Sequence, residues 1–296
     1  MVDSGSTDDT LLIAGSYDVR IEKIEKSEFT FGRSLNIGCS KAKNEILVFL
    51  SAHVYPSCND WLLNICKPFE EESVACSYGK QRGNYKTKYS EKQVFLSLFP
   101  DDVVDKKINY FCNNANCAIR RSEWLKQSYD ETLTGLEDLD WAKKQYISGR
   151  KIVYVPDAEI IHVHDENWNQ IRNRYRREAF ALRKIEPKMS MSLLNMIYLF
   201  LLSTFSDYFS IKSIKSFKMN FFSIILFRFN QYYGTWIGLN KEKNNINELR
   251  TTFYYPPRKS SKKRKSENLF FRNKKDKNSK KLINYESFRS IIKGDI

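Results

Sequence analysis

The sequence predicts an α/β fold: an open, twisted sheet with flanking helices, then an apolar helical extension and a basic tail. Three observations predict it. Glu45–Leu50 (EILVFL) is a continuous apolar run, as expected of a parallel strand buried on both faces. Short strand patterns alternate with helical patterns through the first 185 residues, as in βαβ units. The 296 residues are 42% hydrophobic and 28% charged, enough for one large core and incompatible with global disorder.

Taken in order, Asp9–Tyr17 is predicted as a short helix behind a Ser/Thr/Asp cluster, and Val19–Ile24 alternates as a strand. Ser34–Lys43 is a helix and Glu45–Leu50 a strand. Asn59–Phe69 is a helix, and Val74–Tyr78 a strand. Residues 80–110 are polar and aromatic with weak periodicity, which predicts a long loop region at the active site. Ala115–Arg120 is a strand, Arg121–Leu125 a short helix and Leu136–Ser148 an amphipathic helix. Ile152–Val155 and Glu159–Val163 are two short strands, and Asn167–Lys184 is a strongly basic helix.

From 186 to 257 the composition turns apolar and aromatic. Met191–Phe205 and Met219–Phe229 fall short of the ~18–20 apolar residues of a spanning helix. They read either as packed core helices or as in-plane helices on an anionic leaflet, aided by Lys212, Lys215, Lys218 and Arg228. Residues 258–284 hold twelve Lys/Arg and two acids, so +10 of the net +14 lies there and the folded body is only mildly basic. A solvated tail is the expectation for 258–296, with no nucleic-acid partner, since no recognition fold accompanies the charge. The six cysteines form no C-x-x-C pair, and three histidines leave little for a zinc site, so the chain reads as reduced and cytosolic with half-buried thiols. The first residues have neither the basic nor the apolar region of a signal peptide.

Four constellations carry chemistry. Val2–Thr10 (VDSGSTDDT) is a strand end that turns toward the cleft of an open sheet. There Asp3 can accept hydrogen bonds from a base or ribose, although the same residues make ordinary turns. The EILVFL strand ends in Ser51-Ala52-His53, which places His53 at the cleft as a ligand or as a structural histidine. In GLEDLDWAKK (135–144), Glu137, Asp138 and Asp140 crowd the first turn of a helix. Acids there complement the helix dipole, and one set in a cleft can act as a general base. In VPDAEIIHVHDEN (155–167), His162 and His164 share one strand face, which permits joint metal binding or one ligand and one support. Arg120, Arg121 and Lys80 are candidate contacts to a charged ligand, or surface charges.

The order of these motifs resembles family-2 glycosyltransferases of the GT-A fold. The series is V-D-S-G-S-T-D, G-R-x-x-N-x-G, a strand with a polar triplet and proline, an aromatic-rich loop, N-A-N-x-A-I-R-R, G-x-E-D-x-D-W and P-x-A-x-I-x-H, from residue 2 to about 183. The resemblance implies a mixed sheet and inverting transfer of a sugar from a nucleotide-sugar donor to a glycan or lipid-linked acceptor. It implies surface-polysaccharide assembly, in the cytoplasm or at the inner face of the plasma membrane. By position it makes Asp3 the nucleotide contact and sets Ser51 on the donor side; Arg120, Arg121 and Lys80 are candidate diphosphate or acceptor contacts by their charge alone, Arg120 being placed with the donor. Asp138 becomes the catalytic base beside Glu137, and His53 and His162 become ligands of a divalent metal, Mn²⁺ or Mg²⁺.

Two departures qualify the expectation. Asp-x-Asp has become Ser51-Ala52-His53, and imidazole suits Mn²⁺ better than oxygen-seeking Mg²⁺, so weakened metal dependence is one consequence. The strand, helix and strand that precede V-D-S-G-S in relatives are not in the sequence, which predicts a truncation of about thirty to forty residues. A nucleotidyltransferase is disfavoured by the Glu137-Asp138 pair with its later histidine. A degenerate domain that binds glycan or nucleotide without transfer is the alternative. Paired ligation predicts imidazole nitrogens of His53 and His162 within about 4–5 Å, with His164 in support.

Overall fold

The structure is a computed structural model and describes residues 1–103 and 110–240. The tail at 258–296 and the end of the extension beyond 240 lie outside the described residues.

The chain begins with β1 (Val2–Asp3), α1 (Thr10–Gly15) and β2 (Glu22–Lys23); β1 and β2 pair in parallel as a small sheet of their own. Next comes α2 (Phe31–Lys41), capped by the Thr30 hydroxyl, which accepts the Arg33 N–H at 3.1 Å. β3 (Ile46–Leu50) and β4 (Val54–Pro56) bracket Ser51–His53. Then follow α3 (Trp61–Cys66) with a 3-10 turn (Lys67–Glu70), β5 (Val74–Gly83), α4 (Tyr89–Leu98), β6 (Asn116–Arg120) and α5 (Arg121–Lys126). The remaining elements are α6 (Glu137–Ile147), β7 (Lys151–His162), α7 (Trp168–Ile185), α8 (Leu193–Ser210) and α9 (Ile214–Asn240).

The second sheet has five strands in the order β3-β6-β5-β7-β4, with β5 and β7 parallel and the other pairs antiparallel. Side chains alternate along it: Cys117 and Ile119 of β6 enter an apolar cluster on one face, and Ala118 enters a second on the other. The expected open mixed sheet with flanking helices is therefore present.

Three local expectations are corrected. EILVFL is not a parallel strand buried on both faces: β3 pairs antiparallel with β6 alone among the described residues, and only Leu47 of it is fully buried. Residues 80–110 are not one long loop, because β5 continues to Gly83 and α4 fills Tyr89–Leu98. Its periodicity is weak because α4 buries Ser90 and Glu91 along with Phe95. The two strands predicted at 152–155 and 159–163 are one strand, β7. Its register against β5 shifts twice, between Val74 and Cys76 and between Gly79 and Gln81, and the second shift sets Pro156 to Glu159 opposite Lys80 alone.

That second shift is filled by a side chain. The Asn116 amide nitrogen donates to the carbonyls of Ala158 (2.7 Å) and Lys80 (3.1 Å), and its oxygen accepts the Trp61 indole N–H at 2.9 Å. A Cβ at position 79 would come within 2.1 Å of Ala158 O, so glycine is required there. The thiols also differ from expectation: Cys39, Cys76, Cys112 and Cys117 are fully buried, because they line the cluster under α2, α4 and α6.

The apolar extension packs through α9 onto α7. Cβ atoms at Gly234 and Gly238 would lie 2.4 Å and 2.2 Å from the carbonyls of Arg172 and Arg176, so the two helices approach backbone to backbone. Between α8 and α9, Asp207 and Arg228 form a buried bidentate ion pair at 2.6 and 2.8 Å. The inner faces bury Met196, Ile224 and Phe227; the outer faces leave Leu194, Phe205, Phe209, Met219 and Phe222 exposed. Among the described residues no helix is long and apolar enough to cross a membrane.

Candidate active site

The site lies where β5 and β7 end and β3 turns into β4. His162 closes β7, with Val54 of β4 opposite on one side and Gly83 of β5 on the other. His53 is fixed from the turn by its carbonyl, which accepts the Val163 N–H at 2.9 Å. The Nε2 atoms of His53 and His162 are 2.8 Å apart, and that of His164 is 2.9 Å from His162 Nε2. His164 thus joins the cluster itself rather than standing behind it.

The tautomers follow from the surrounding bonds. Asn113 Oδ1 accepts the backbone N–H of Ala115 at 3.0 Å, which fixes its amide, so the Gln81 group facing it at 3.0 Å is the amide nitrogen. Gln81 therefore turns its oxygen to His162 Nδ1 at 2.8 Å, and that nitrogen carries the proton. His164 Nδ1 likewise faces a Glu91 carboxylate oxygen at 2.6 Å. Both rings then present bare Nε2 lone pairs to one point, which is a donor set for a cation. Burial, reinforced by the neighbouring His164 and His53, pushes the His162 imidazole down to about 2. Burial lowers His53 as well, so both rings are neutral and able to ligate at physiological pH. Glu91, Glu166 and His164 form an adjoining group, with the Arg174 guanidinium of α7 bridging the two carboxylates. Burial raises Glu91, but the hydrogen bond from His164 and the charge of Arg174 outweigh it and hold it below the usual range.

A second constellation opens α6. Leu136, its N-cap, has φ 57°, the one positive φ outside glycine among the described residues. This costs about 1–2 kcal/mol for an L-residue. It aims the next two carboxylates inward, where both are buried. Asp138 Oδ2 accepts the Asn114 N–H and Oδ1 accepts the Leu139 N–H, each at 2.8 Å. Burial pushes Glu137 up to about 8, aided by the Asp138 charge, and Asp138 up to about 7. Two N–H bonds favour the Asp138 anion, whereas Glu137 Oε2 has no partner among the described residues. The pair accordingly keeps its proton on Glu137 and its charge on Asp138.

Residues 1–128 match the family model for glycosyl transferase family 2. That match spans the first 128 of the 296 residues and ends before Glu137 and Asp138. Among curated relatives, the O-antigen chain rhamnosyltransferase WbaN of Salmonella anatum is 29% identical over 189 residues. Rhamnosyltransferase RfbN of Salmonella typhimurium is 24% identical over 188. Each match covers 59% of this chain, and the chain spans about three fifths of those relatives' length (59% and 60%). Solved structures that resemble it include the Pyrobaculum calidifontis mannosyltransferase PcManGT with GDP-Man and Mn²⁺ (16% identity, TM-score 0.48, 86% of this chain and 77% of that one). Another is the Mycobacterium tuberculosis glucosyl-3-phosphoglycerate synthase with Mn²⁺ and UDP-glucose (16%, TM-score 0.45, 62% and 66%).

The other donor-side residues expected from the sequence are Asp3, Ser51 and Arg120. Asp3 is buried, with its carboxylate turned onto its own loop, accepting from the N–H groups of Gly5 (2.9 Å) and Ser6 and from the Ser6 hydroxyl. These bonds lower its pKa, the Ser6 hydroxyl contributing most. Ser51 lies half-buried at the turn before His53. Arg120 is not brought to the others: it stands at the far end of the sheet, paired with Glu45 and donating to the carbonyls of Val74, Phe69 and Glu71. Lys80 is engaged by Asp101 and Glu159. Sequence reasoning missed Gln81, Glu91, Asn113 and Arg174, whose roles depend on contacts remote in sequence.

Proposed function

We propose that this chain is an inverting glycosyltransferase moving a sugar from a nucleotide-sugar donor to a glycan or lipid-linked acceptor in surface-polysaccharide assembly. The observation that carries the reading is the Asp138 carboxylate, buried and accepting two backbone N–H groups, in a chain whose first 128 residues match the family-2 model. Asp138 takes the proton of the acceptor hydroxyl as its oxygen bonds to the anomeric carbon. The bond to the nucleoside diphosphate breaks on the opposite face, so the configuration inverts. Glu137 beside it keeps its proton and spares the pocket a second charge. Asp3 and Ser51 border the donor side. His53, His162 and His164 would hold a divalent cation, which supplies positive charge to the departing diphosphate. Three imidazoles favour Mn²⁺ over Mg²⁺.

Both curated relatives are named rhamnosyltransferases, so a nucleotide-activated deoxyhexose is the first donor class to try. The exposed apolar faces of α8 and α9, with Lys212, Lys215 and Lys218 between and beside them, support peripheral attachment to an anionic membrane on its cytoplasmic side. Flotation with anionic and neutral vesicles tests this, with binding to the anionic set expected.

A panel of nucleotide sugars assayed for nucleoside diphosphate release with Mn²⁺ tests the main reading. Acceptor-dependent release is expected with at least one donor and should fall sharply in Asp138→Asn. The second reading, a binding domain without transfer, is favoured by Ser51, which lacks the carboxylate of the family motif. Calorimetric binding of nucleoside diphosphate with no transfer from any donor would establish that reading and overturn the first.

A further inference from the structure

Cys76 of β5 and Cys117 of β6 lie diagonally across the antiparallel pair in which Cys76 faces Ile119 and Cys117 faces Tyr78. Cys112, on the segment leading into β6, closes a triangle with them. The Sγ separations are 3.3 Å (Cys76–Cys112), 3.4 Å (Cys112–Cys117) and 3.6 Å (Cys76–Cys117). All three thiols are buried, in a cluster with Tyr78, Phe99, Tyr129 and Trp141.

We propose that this triangle is a site for one soft d¹⁰ cation, zinc(II) or copper(I), held by three cysteine sulfurs. A metal–sulfur bond of about 2.3 Å puts three coplanar sulfurs about 4.0 Å apart, and about 3.8 Å along a tetrahedral edge. Each sulfur need move outward by only a few tenths of an ångström, within reach of small χ1 adjustments. The sulfurs are nearly equidistant, whereas a disulfide would draw one pair to about 2.05 Å and leave the third aside. Thiolate selects zinc(II) and copper(I) over manganese and magnesium, so this site and the histidine cluster sort different ions. Binding is ligation without redox change: the three S–H protons leave to solvent as three metal–sulfur bonds form, giving a complex of charge −1 with zinc(II) or −2 with copper(I).

The position gives the site a consequence. Cys112 is followed by Asn113, whose oxygen takes the Gln81 amide, and by Asn114, whose N–H holds Asp138. An ion on the three sulfurs pins this segment to β5 and β6, and with it the supports of both His162 and Asp138.

Titration of the full, reduced, metal-free chain with Cd²⁺, read by the ultraviolet cadmium–thiolate charge-transfer band, tests the site. The expected result is saturation at one ion per chain, with the band bleached by excess zinc(II). It should persist in the His53→Ala/His162→Ala and Cys58→Ser/Cys66→Ser double variants and disappear in Cys112→Ser. Circular dichroism of Cys112→Ser without metal establishes that it folds. Should it not fold, native mass spectrometry of the parent with zinc(II) decides: one retained ion with three protons displaced in the chain bearing both His53→Ala and His162→Ala supports the site. Absence of a band from a chain with all six thiols reduced overturns it, as does a band that survives Cys112→Ser. A Cys76, Cys112 or Cys117 disulfide formed in preference to ion binding would also overturn it.

Discussion

The Gln81 amide oxygen lies 2.8 Å from His162 Nδ1, and this contact decides which ring nitrogen of His162 is free. Gln81→Leu removes the acceptor and lets the ring take either tautomer. Mn²⁺ affinity, measured by calorimetry, should fall by about 10–100-fold, the usual cost of losing such a partner. Circular dichroism should be unchanged. Unaltered affinity would mean that His162 is no ligand.

Asp138 should impose an acid limb on transfer well above the ordinary aspartate range. Burial raises it to about 7, so kcat/KM should drop as pH falls through that region. Glu137→Gln replaces a carboxyl that is already neutral where Asp138 titrates, so it should leave the limb near its place and activity measurable. Asp138→Asn should cost about 10²–10⁴ in kcat. A limb near pH 4 in the parent would exclude Asp138 as the base.

The same two groups fix the sign of a stability effect. Both have folded-state values above their unfolded ones, so the native chain binds more protons than the unfolded chain between about pH 4 and 8. Their contribution to stability is therefore greatest at the acid end of that window and declines as pH rises through it. The parent should lose more of its urea midpoint between pH 5 and 8 than the Glu137→Gln/Asp138→Asn double variant, and an equal loss would contradict the burial argument.

Asp207 and Arg228 test how α8 is held to α9. Asp207→Ala leaves a buried guanidinium unpaired and should destabilise by about 3–5 kcal/mol in urea unfolding. Asp207→Leu/Arg228→Met should recover most of that loss, because the cost lies in the orphaned charge rather than in the missing attraction. Equal loss in both would point to packing instead.

Periodicity and caps revealed most helices, and motifs singled out Glu137, Asp138 and His162 as candidates, all three of which the fold buries. What escaped was set by contacts remote in sequence. Gln81 has meaning only through Asn113 and His162, and Glu91 looks like a surface acid until α4 turns it toward His164. Arg120 misled because a cation near a motif reads as a phosphate contact, whereas tertiary structure spends it on carbonyls at the other end of the sheet. β3 misled because an apolar run does not reveal how many partners a strand has.

The glycine contact between α9 and α7 has a mechanical meaning. At Gly234 and Gly238 the two backbones touch with no side chain between them to yield. The same α7 carries Arg174 into the carboxylates behind His164, so the outer apolar face and the histidine cluster ride on one stiff frame. α9, about 40 Å long at 1.5 Å per residue, is the longest beam of that frame. On the membrane attachment proposed above, the frame would set the height of the cleft over the surface. An acceptor anchored in that surface would then need a stalk of matching length, making the helix crossing a gauge of which acceptors the cleft can reach.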